Sequence, residues 1–215
     1  MENKTFRRGS AMSGEAKLEG RLGQVAPLCL AEICTILESH SIRYALDGGT
    51  LLGIARENRL LPWDNDLDFF IPASDAAKVR RLRYQFLKRG YWMKEAKALD
   101  SCGPIPQGAP RIFKVRTIRR YNGYRLQADL IIKYISGGYY YWSVGGLQAV
   151  MKRIPTHFYD KLDTIEFRGR SYPIPSQTDE YLRCRYGDWR AEKREWNFRL
   201  DDRAKIDTNI GADRA

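Results

Sequence analysis

The 215-residue chain carries 37 Lys and Arg against 26 Asp and Glu, a formal net charge of +11, and 43% of its residues are hydrophobic. That size and balance exclude a fibrous or wholly disordered chain and fit one domain with a real core, or one domain plus a small appendage. Four cysteines without a C-x-x-C pair and two isolated histidines, His40 and His157, argue against a zinc site and for reduced, structural thiols.

The first 20 residues are polar and charged, lack the apolar stretch of a signal peptide, and read as a disordered arm. A helix is expected from about Leu22 to Ser39, with Val25, Cys29, Ile33, Ile36 and Leu37 recurring on one face. Ile42 to Leu46 reads as a short strand. Gly48-Gly49 makes a turn into a helix from Thr50 to Glu57, with Thr50 as its cap. Leu67 to Ile71 reads as a strand stopped by Pro72, and Ser74 opens one helix running to about Lys88.

Tyr91 to Ala98 reads as a strand and Asp100 to Pro110 as a loop with three prolines. Arg111–Ile118 and Tyr124–Tyr134 form strands joined by a hairpin at Tyr121-Asn122-Gly123. Tyr134 to Met151 is too polar to cross a membrane. It reads as a partly buried loop or hairpin, although its tyrosines and Trp142 could instead stack on a sugar or meet a membrane interface. Leu162–Phe167 and Ser171–Ile174 make a second hairpin, and Thr178–Tyr186 a short helix closed by Gly187. The last residues, 199–215, read as a loose polar tail. The mixture of helices and segregated hairpins indicates an α+β (mixed α/β) fold rather than a regular doubly wound sheet.

The charge is concentrated. Between Lys78 and Arg125 there are fourteen Lys and Arg against Glu95 and Asp100, a local balance of +12. Such a surface attracts nucleotides, phosphorylated glycans, anionic lipids or nucleic acid, and its plain alternative is a solvated helix face plus a basic hairpin.

The chemistry centres on Asp66 and Asp68. Two apart on a strand, they point to one face, and crowded carboxylates repel unless a cation lies between them. Asp129, alone among Ala128, Leu130 and Ile131, is costly to bury unless paired or liganded. Magnesium accepts a few carboxylate oxygens together with water and substrate phosphate. A calcium loop starting at Asp64 is excluded, because Phe69 and Asp75 stand where it needs glycine and glutamate. A nucleotide-sugar D-x-D motif does not fit either, since only 65 residues precede Asp66. Gly48-Gly49 before a helix lets backbone amides approach an anion, and joined to the D-x-D pair and the isolated Asp129 it gives the pattern of the nucleotidyltransferase superfamily. Asp47 and Asp64 read as structural: a turn cap and a loop-orienting residue. Arg185 to Trp189 reads as a helix end packed on the core.

The run Gly49-Thr50-Leu51-Leu52-Gly53 with Arg56, followed by Pro62-Trp63-Asp64-x-Asp66-x-Asp68, resembles the LicD family, which includes the fukutin-related proteins. Tyr181-Leu182-x-x-Arg185-Tyr186-Gly187-Asp188-Trp189 is similar to that family's C-terminal signature. The resemblance covers about Ile42 to Trp189. It implies a nucleotidyltransferase-like core with a mixed sheet, flanking helices and added hairpins, occupying about 21–198. It also implies transfer of a phosphorylated alcohol, such as phosphocholine or a polyol phosphate, from a CDP-linked donor to a hydroxyl of a glycan or lipid-linked glycan. Lipopolysaccharide and teichoic acid are acceptors of that kind.

On the resemblance, Asp66 and Asp68 match the metal-binding pair, Asp129 the third acid, and Arg56 a donor-phosphate contact. Mg2+ or Mn2+ is the expected cofactor, with phosphate held at Gly48, Gly49 and Thr50. Asn65 departs from the acid frequent in bacterial relatives, and there is no cysteine cluster like the zinc site of some animal relatives. The expected location is the cytoplasm, with peripheral contact at the inner face of the membrane. Nucleic acid is an unlikely partner. Two other readings stay open: a nucleotidyltransferase that releases pyrophosphate, and a non-catalytic anion-binding module on the Lys78–Arg125 surface.

Overall fold

The computed structural model describes residues 16–145 and 149–206. The expectation of a disordered arm falls mostly on residues outside that range.

The elements follow the hydrophobic pattern closely. Helix α1 (Gly20–Ser39) buries Cys29, Ile33, Ile36 and Leu37 as its periodicity predicts. By length and composition α1 could cross a membrane, but it packs as a core helix, with Leu30, Ile33 and Leu37 in the central apolar cluster. Strand β1 (Ala45–Leu46) leads into α2 (Gly48–Glu57), and β2 (Asp66–Pro72) follows. The single helix expected from Ser74 is broken into a 3-10 turn (Ala73–Asp75), α3 (Ala76–Arg81) and α4 (Arg83–Lys88). Like charges three apart, Lys78 with Arg81 and Arg80 with Arg83, disfavour a continuous helix there.

Strands β3 (Tyr91–Lys97), β4 (Pro110–Thr117) and β5 (Gln127–Ser136) come next. Asn122 and Gly123 both take left-handed backbone at the turn between β4 and β5, as the Asn-Gly pair predicts. Then follow β6 (Tyr139–Val144), β7 (Val150–Pro155), α5 (His157–Asp160), the hairpin β8 (Leu162–Phe167) and β9 (Arg170–Pro175), and α6 (Thr178–Tyr186).

The main sheet runs β1-β2-β5-β4-β3, with β6 and β7 continuing from the far half of β5. Strands β2 and β5 are parallel, and their neighbours in this sheet pair antiparallel. The fold is therefore mixed α+β. One face is apolar: Leu67 and Phe69 of β2, Ala128 and Leu130 of β5, and Phe113 and Val115 of β4 join α1, α3 and α4 in one core. On the other face, Phe70 stacks on Tyr159 at 3.9 Å and meets the edge of Tyr140 at 5.2 Å. This aromatic cover closes the half of the face near β6 and leaves the half near the start of β2 without it.

Trp142 is buried beneath this cover, with Lys133 Nζ 4.0 Å from its ring centre. It therefore does not present a sugar platform or a membrane anchor. The hairpin reading of Tyr134 to Met151 is the one realised.

A buried ion network ties the elements together. Asp47 pairs with Lys133 of β5 at 2.6 Å and with Arg185 of α6 at 3.0 Å. Arg185 pairs with Asp202 at 2.8 Å, and Asp202 pairs with Lys152 of β7 at 2.6 Å. Asp202 is only 1% exposed, so this part of the expected loose tail is anchored. The reason is physical: two buried cations, Arg185 and Lys152, need a counter-charge, and Asp202 supplies it.

Asp202→Ala is expected to lower stability by ~3–5 kcal/mol, because it strands Lys152 and leaves Arg185 with Asp47 alone. The neighbouring Asp201→Ala, which loses a pair with the exposed Lys193 and one backbone contact, should move the urea unfolding midpoint far less. Equal midpoints for the two variants would refute the anchoring role.

Candidate active site

The site is built where β2 and β5 run side by side. Parallel register places Asp68 beside Asp129 and Asp66 beside Gln127, on the face opposite the apolar core. Asp64 enters from the loop before β2. The three residues expected as a metal set are thus brought onto one patch of sheet, with Asp64 beside them.

The glycine pair fits against this patch. Gly48 has a left-handed backbone (φ +52°), and a Cβ there would overlap the Asp68 carboxylate. A Cβ on Gly49 would overlap Asp64 Oδ2. Gly49 N donates to Asp68 Oδ2 at 3.1 Å, and Asp68 N donates to Thr50 Oγ1 at 2.8 Å. The helix cap is Asp47, whose Oδ1 accepts from Gly48 N at 2.8 Å. Thr50 was the expected cap. It lies inside the first turn and instead pins β2, because the positive φ of Gly48 already belongs to the helix.

Electrostatically the patch is strained. Burial, then the charges of Asp68, Asp129 and Asp64, push the Asp66 carboxyl well above its ordinary value of 3.8. Burial followed by Asp64, Asp47 and Asp129 raises Asp68 to about 8. Burial raises Asp64 to about 6. Asp129 is raised by burial, against the pull of Lys114. Asp47 behaves oppositely: burial opposes ionisation, but Lys133 and Arg185 outweigh it and hold the carboxyl well below the usual range.

Each carboxylate presently faces a protein donor. Asp64 Oδ1 accepts from Asn65 N at 2.9 Å. Asp129 accepts from Lys114 Nζ at 3.0 Å and from Gln127 Nε2 at 2.9 Å, and Gln127 Nε2 lies 3.5 Å from Asp66 Oδ2. Among the described residues no three acidic, histidine or cysteine side chains close into a ready ligand cage. The chemistry of the donor set nonetheless suits a hard divalent cation. It is all oxygen, and its crowded charges meet one directly bonded cation, Lys114, among the described residues. Asp66, Asp68 and Asp129 are the residues that would hold it, with Asp64 adjacent.

Arg56 is not among the groups bonded to this patch. Its guanidinium binds Glu57 and lies 3.4 Å from the carbonyls of Trp189 and Ala191. It ties α2 to the segment after α6. Lys114 and Arg116 were not singled out from the sequence, although alternation along β4 placed them on one polar face. The predicted hairpin already set β4 beside β5; what the sequence did not display was the register that puts Lys114 opposite Asp129 and Arg116 opposite Gln127. Arg116 Nε donates to Gln127 Oε1 at 2.8 Å, which fixes the guanidinium beside the carboxylates.

Comparison with known proteins gives a family match. A family model described as LicD/FKTN/FKRP, nucleotidyltransferase domain, matches residues 41–177. The ribitol 5-phosphate transferase FKRP of Homo sapiens is 44% identical over 48 residues, 22% of this chain and 10% of that protein. The lipopolysaccharide cholinephosphotransferase LicD of Haemophilus influenzae is 29% identical over 82 residues, 38% of this chain and 30% of that protein. An uncharacterized protein of Rickettsia typhi is 35% identical over 68 residues, 32% of this chain and 22% of the relative. The matches thus span less than a third of each of these relatives. The crystal structure of ANT(2")-Ia with adenylyl-2"-tobramycin superposes with a TM-score of 0.39 and 13% identity over 75% of this chain and 76% of that one, too distant to bear on chemistry.

The raised carboxyls set a pH dependence. The native state keeps protons on Asp64 and Asp68 up to about 6 and about 8, whereas an ordinary Asp releases them near 3.8. Their contribution to stability is therefore full below about pH 4 and is lost as pH rises through 6 to 8. Metal-free protein is expected to show this loss between about pH 5.5 and about pH 7.5, and added magnesium should raise the melting temperature more at the higher pH, because the cation needs ionised ligands. Calorimetry at both values, on the wild type and Asp66→Asn, checks this. A magnesium shift that is equal at both values, or that persists in Asp66→Asn, would remove the cluster from cation binding.

Proposed function

The chain belongs to the LicD/FKTN/FKRP family, and from that premise we propose that it is a metal-dependent phosphotransferase. It would move a phosphorylated alcohol from a CDP-linked donor to a hydroxyl of a glycan or lipid-linked glycan, releasing CMP. The observation that carries the reading is the meeting of Asp66, Asp68 and Asp129 on one patch of sheet, against the Gly48-Gly49 turn.

The division of labour follows from the geometry. Gly48 and Gly49 carry no side chains where the Asp68 and Asp64 carboxylates approach the turn, and their N–H groups donate to Asp47 and Asp68, so the turn positions the acids rather than holding the substrate phosphate expected at Gly48, Gly49 and Thr50. Asp66 and Asp68, with Asp129, would hold a magnesium or manganese ion, which when bound would supply charge neutralisation on the phosphate oxygens. Asp129 lies one strand over, its carboxyl raised by burial against the pull of Lys114, and is the carboxylate that would take the proton of the acceptor hydroxyl. Lys114 holds Asp129 in place through the 3.0 Å contact and brings positive charge to the edge of the patch. A lipid-linked acceptor would bring the protein to the inner face of a membrane.

Incubation with magnesium and a panel of CDP-alcohols should release CMP in the presence of the matching acceptor. Asp66→Asn should lower the rate by at least about a hundredfold while the circular dichroism spectrum is kept. Full activity in that variant, or pyrophosphate as the product in place of CMP, would overturn the proposal. The second outcome would favour a nucleotidyltransferase.

A further inference from the structure

The carboxylate patch is one end of a longer surface. The strand registers continue each acidic position across the sheet in two adjacent rows. One row reads Asp68 (β2), Asp129 (β5), Lys114 (β4) and Lys94 (β3). The other reads Asp66, Gln127, Arg116 and Trp92 on the same four strands. Register partners project to the same side of a sheet. Three inter-strand steps separate β2 from β3, about 14 Å at the usual spacing.

The chemistry changes along these rows. Over β2 and β5 it is acidic, and over β4 and β3 it is basic. The second row ends in Trp92, which is 61% exposed on a regular strand. Lys114 and Arg116 are half-buried and held by Asp129 and Gln127, so their charges are fixed in place. Lys94 is exposed and has no ion-pair partner among the described residues. An exposed indole at the end of a cationic strip is a common arrangement for stacking a base beside its phosphate.

We propose that the β3–β4 half of this face is the nucleotide subsite of the donor, with Lys94, Lys114 and Arg116 around the nucleoside-side phosphate and Trp92 against the base. The assignment rests on the phosphotransfer reading above. The order of chemistry along the rows gives the donor its direction, with the transferred phosphate over the carboxylates and the nucleoside over β3. The opposite direction is disfavoured by charge. A cationic alcohol such as choline at Trp92 would meet Lys94 and Arg116 beside the ring, whereas a neutral planar base with an adjacent phosphate meets attraction from both.

This placement gives the cations a role in the transfer. The acceptor hydroxyl oxygen bonds to the distal phosphorus, and the bond from that phosphorus to the bridging oxygen breaks. The electron pair leaves with the bridging oxygen on the nucleoside monophosphate, and the hydroxyl proton passes to a carboxylate of the cluster. The new negative charge on the leaving phosphate forms beside Lys114 and Arg116, where fixed positive charge stabilises it.

The test is CMP binding by isothermal titration calorimetry, together with steady-state kinetics on whichever CDP-alcohol the protein uses. Trp92→Ala should weaken CMP binding by roughly tenfold, and Trp92→Phe, which keeps a stacking ring, should restore most of it. Lys94→Ala should raise KM with kcat retained, and Arg116→Ala should lower kcat as well. All these side chains are at least partly exposed, so an unchanged melting temperature should accompany each effect. Wild-type binding of CMP with unaltered affinity in both Trp92→Ala and Lys94→Ala overturns the subsite alone. A wild type that neither binds CMP nor turns over any CDP-alcohol overturns the phosphotransfer reading on which it rests.

Discussion

The position of the whole site depends on Asp47. Its carboxylate caps α2 through Gly48 N, receives the Tyr181 hydroxyl, and pairs with Lys133 and Arg185 in a fully buried setting. One side chain thereby fixes the helix start, strand β5 and helix α6 relative to one another. The glycine turn can face the carboxylates of β2 and β5 only if all three hold their places. Buried ion pairs add little net stability compared with apolar packing of equal volume, but removal of one partner leaves a stranded charge. The network therefore penalises displacement strongly, and what it contributes to the site is placement.

Charge balance connects the network to the site. Lys133, Arg185 and Lys152 face Asp47 and Asp202, so the interior set carries one excess positive charge. Burial and then Arg185 lower the Lys152 ammonium, opposed by Asp202 and least by Asp68. A positive interior behind a negative patch lessens the cost of gathering four carboxylates. It does not abolish that cost, since Asp66 and Asp68 remain raised. What remains is a charge cost that a bound divalent cation would relieve.

Much of this was legible in the sequence, and the gaps have a common cause. The glycine turn, the alternate carboxylates of β2, the lone Asp129 and the Asn122-Gly123 hairpin all announce themselves through local spacing. The cap assignment to Thr50 failed because a glycine can hold positive φ inside a first turn, so Asp47 caps one residue before the pair. Asp202 was read as tail because its partners, Lys152 and Arg185, are distant in sequence. A signal was nevertheless present. The argument that marked Asp129 as a costly charge in an apolar strand applies equally to Lys133 after Ile131-Ile132 and to Lys152 after Val150-Met151. Two such lysines require two buried anions, and Asp47 and Asp202 are those anions.

The strip from Asp68 to Trp92 was hidden for a different reason. Alternation along β3 and β4 showed which residues share a face, and the hairpin set β4 beside β5, but nothing local showed that β3 pairs with the other edge of β4 or in which register. Only strand order converts two separate polar faces into rows. The same order explains why the aromatic cover does not reach the strip. Phe70, two residues beyond Asp68 on the same side of β2, is covered by Tyr140 of β6 and Tyr159 of α5. Pairing with β6 begins only at Tyr134, five residues past Asp129. The near half of the face, lacking this aromatic cover, is free to carry charge, and it is there that the acids, the cations and Trp92 stand.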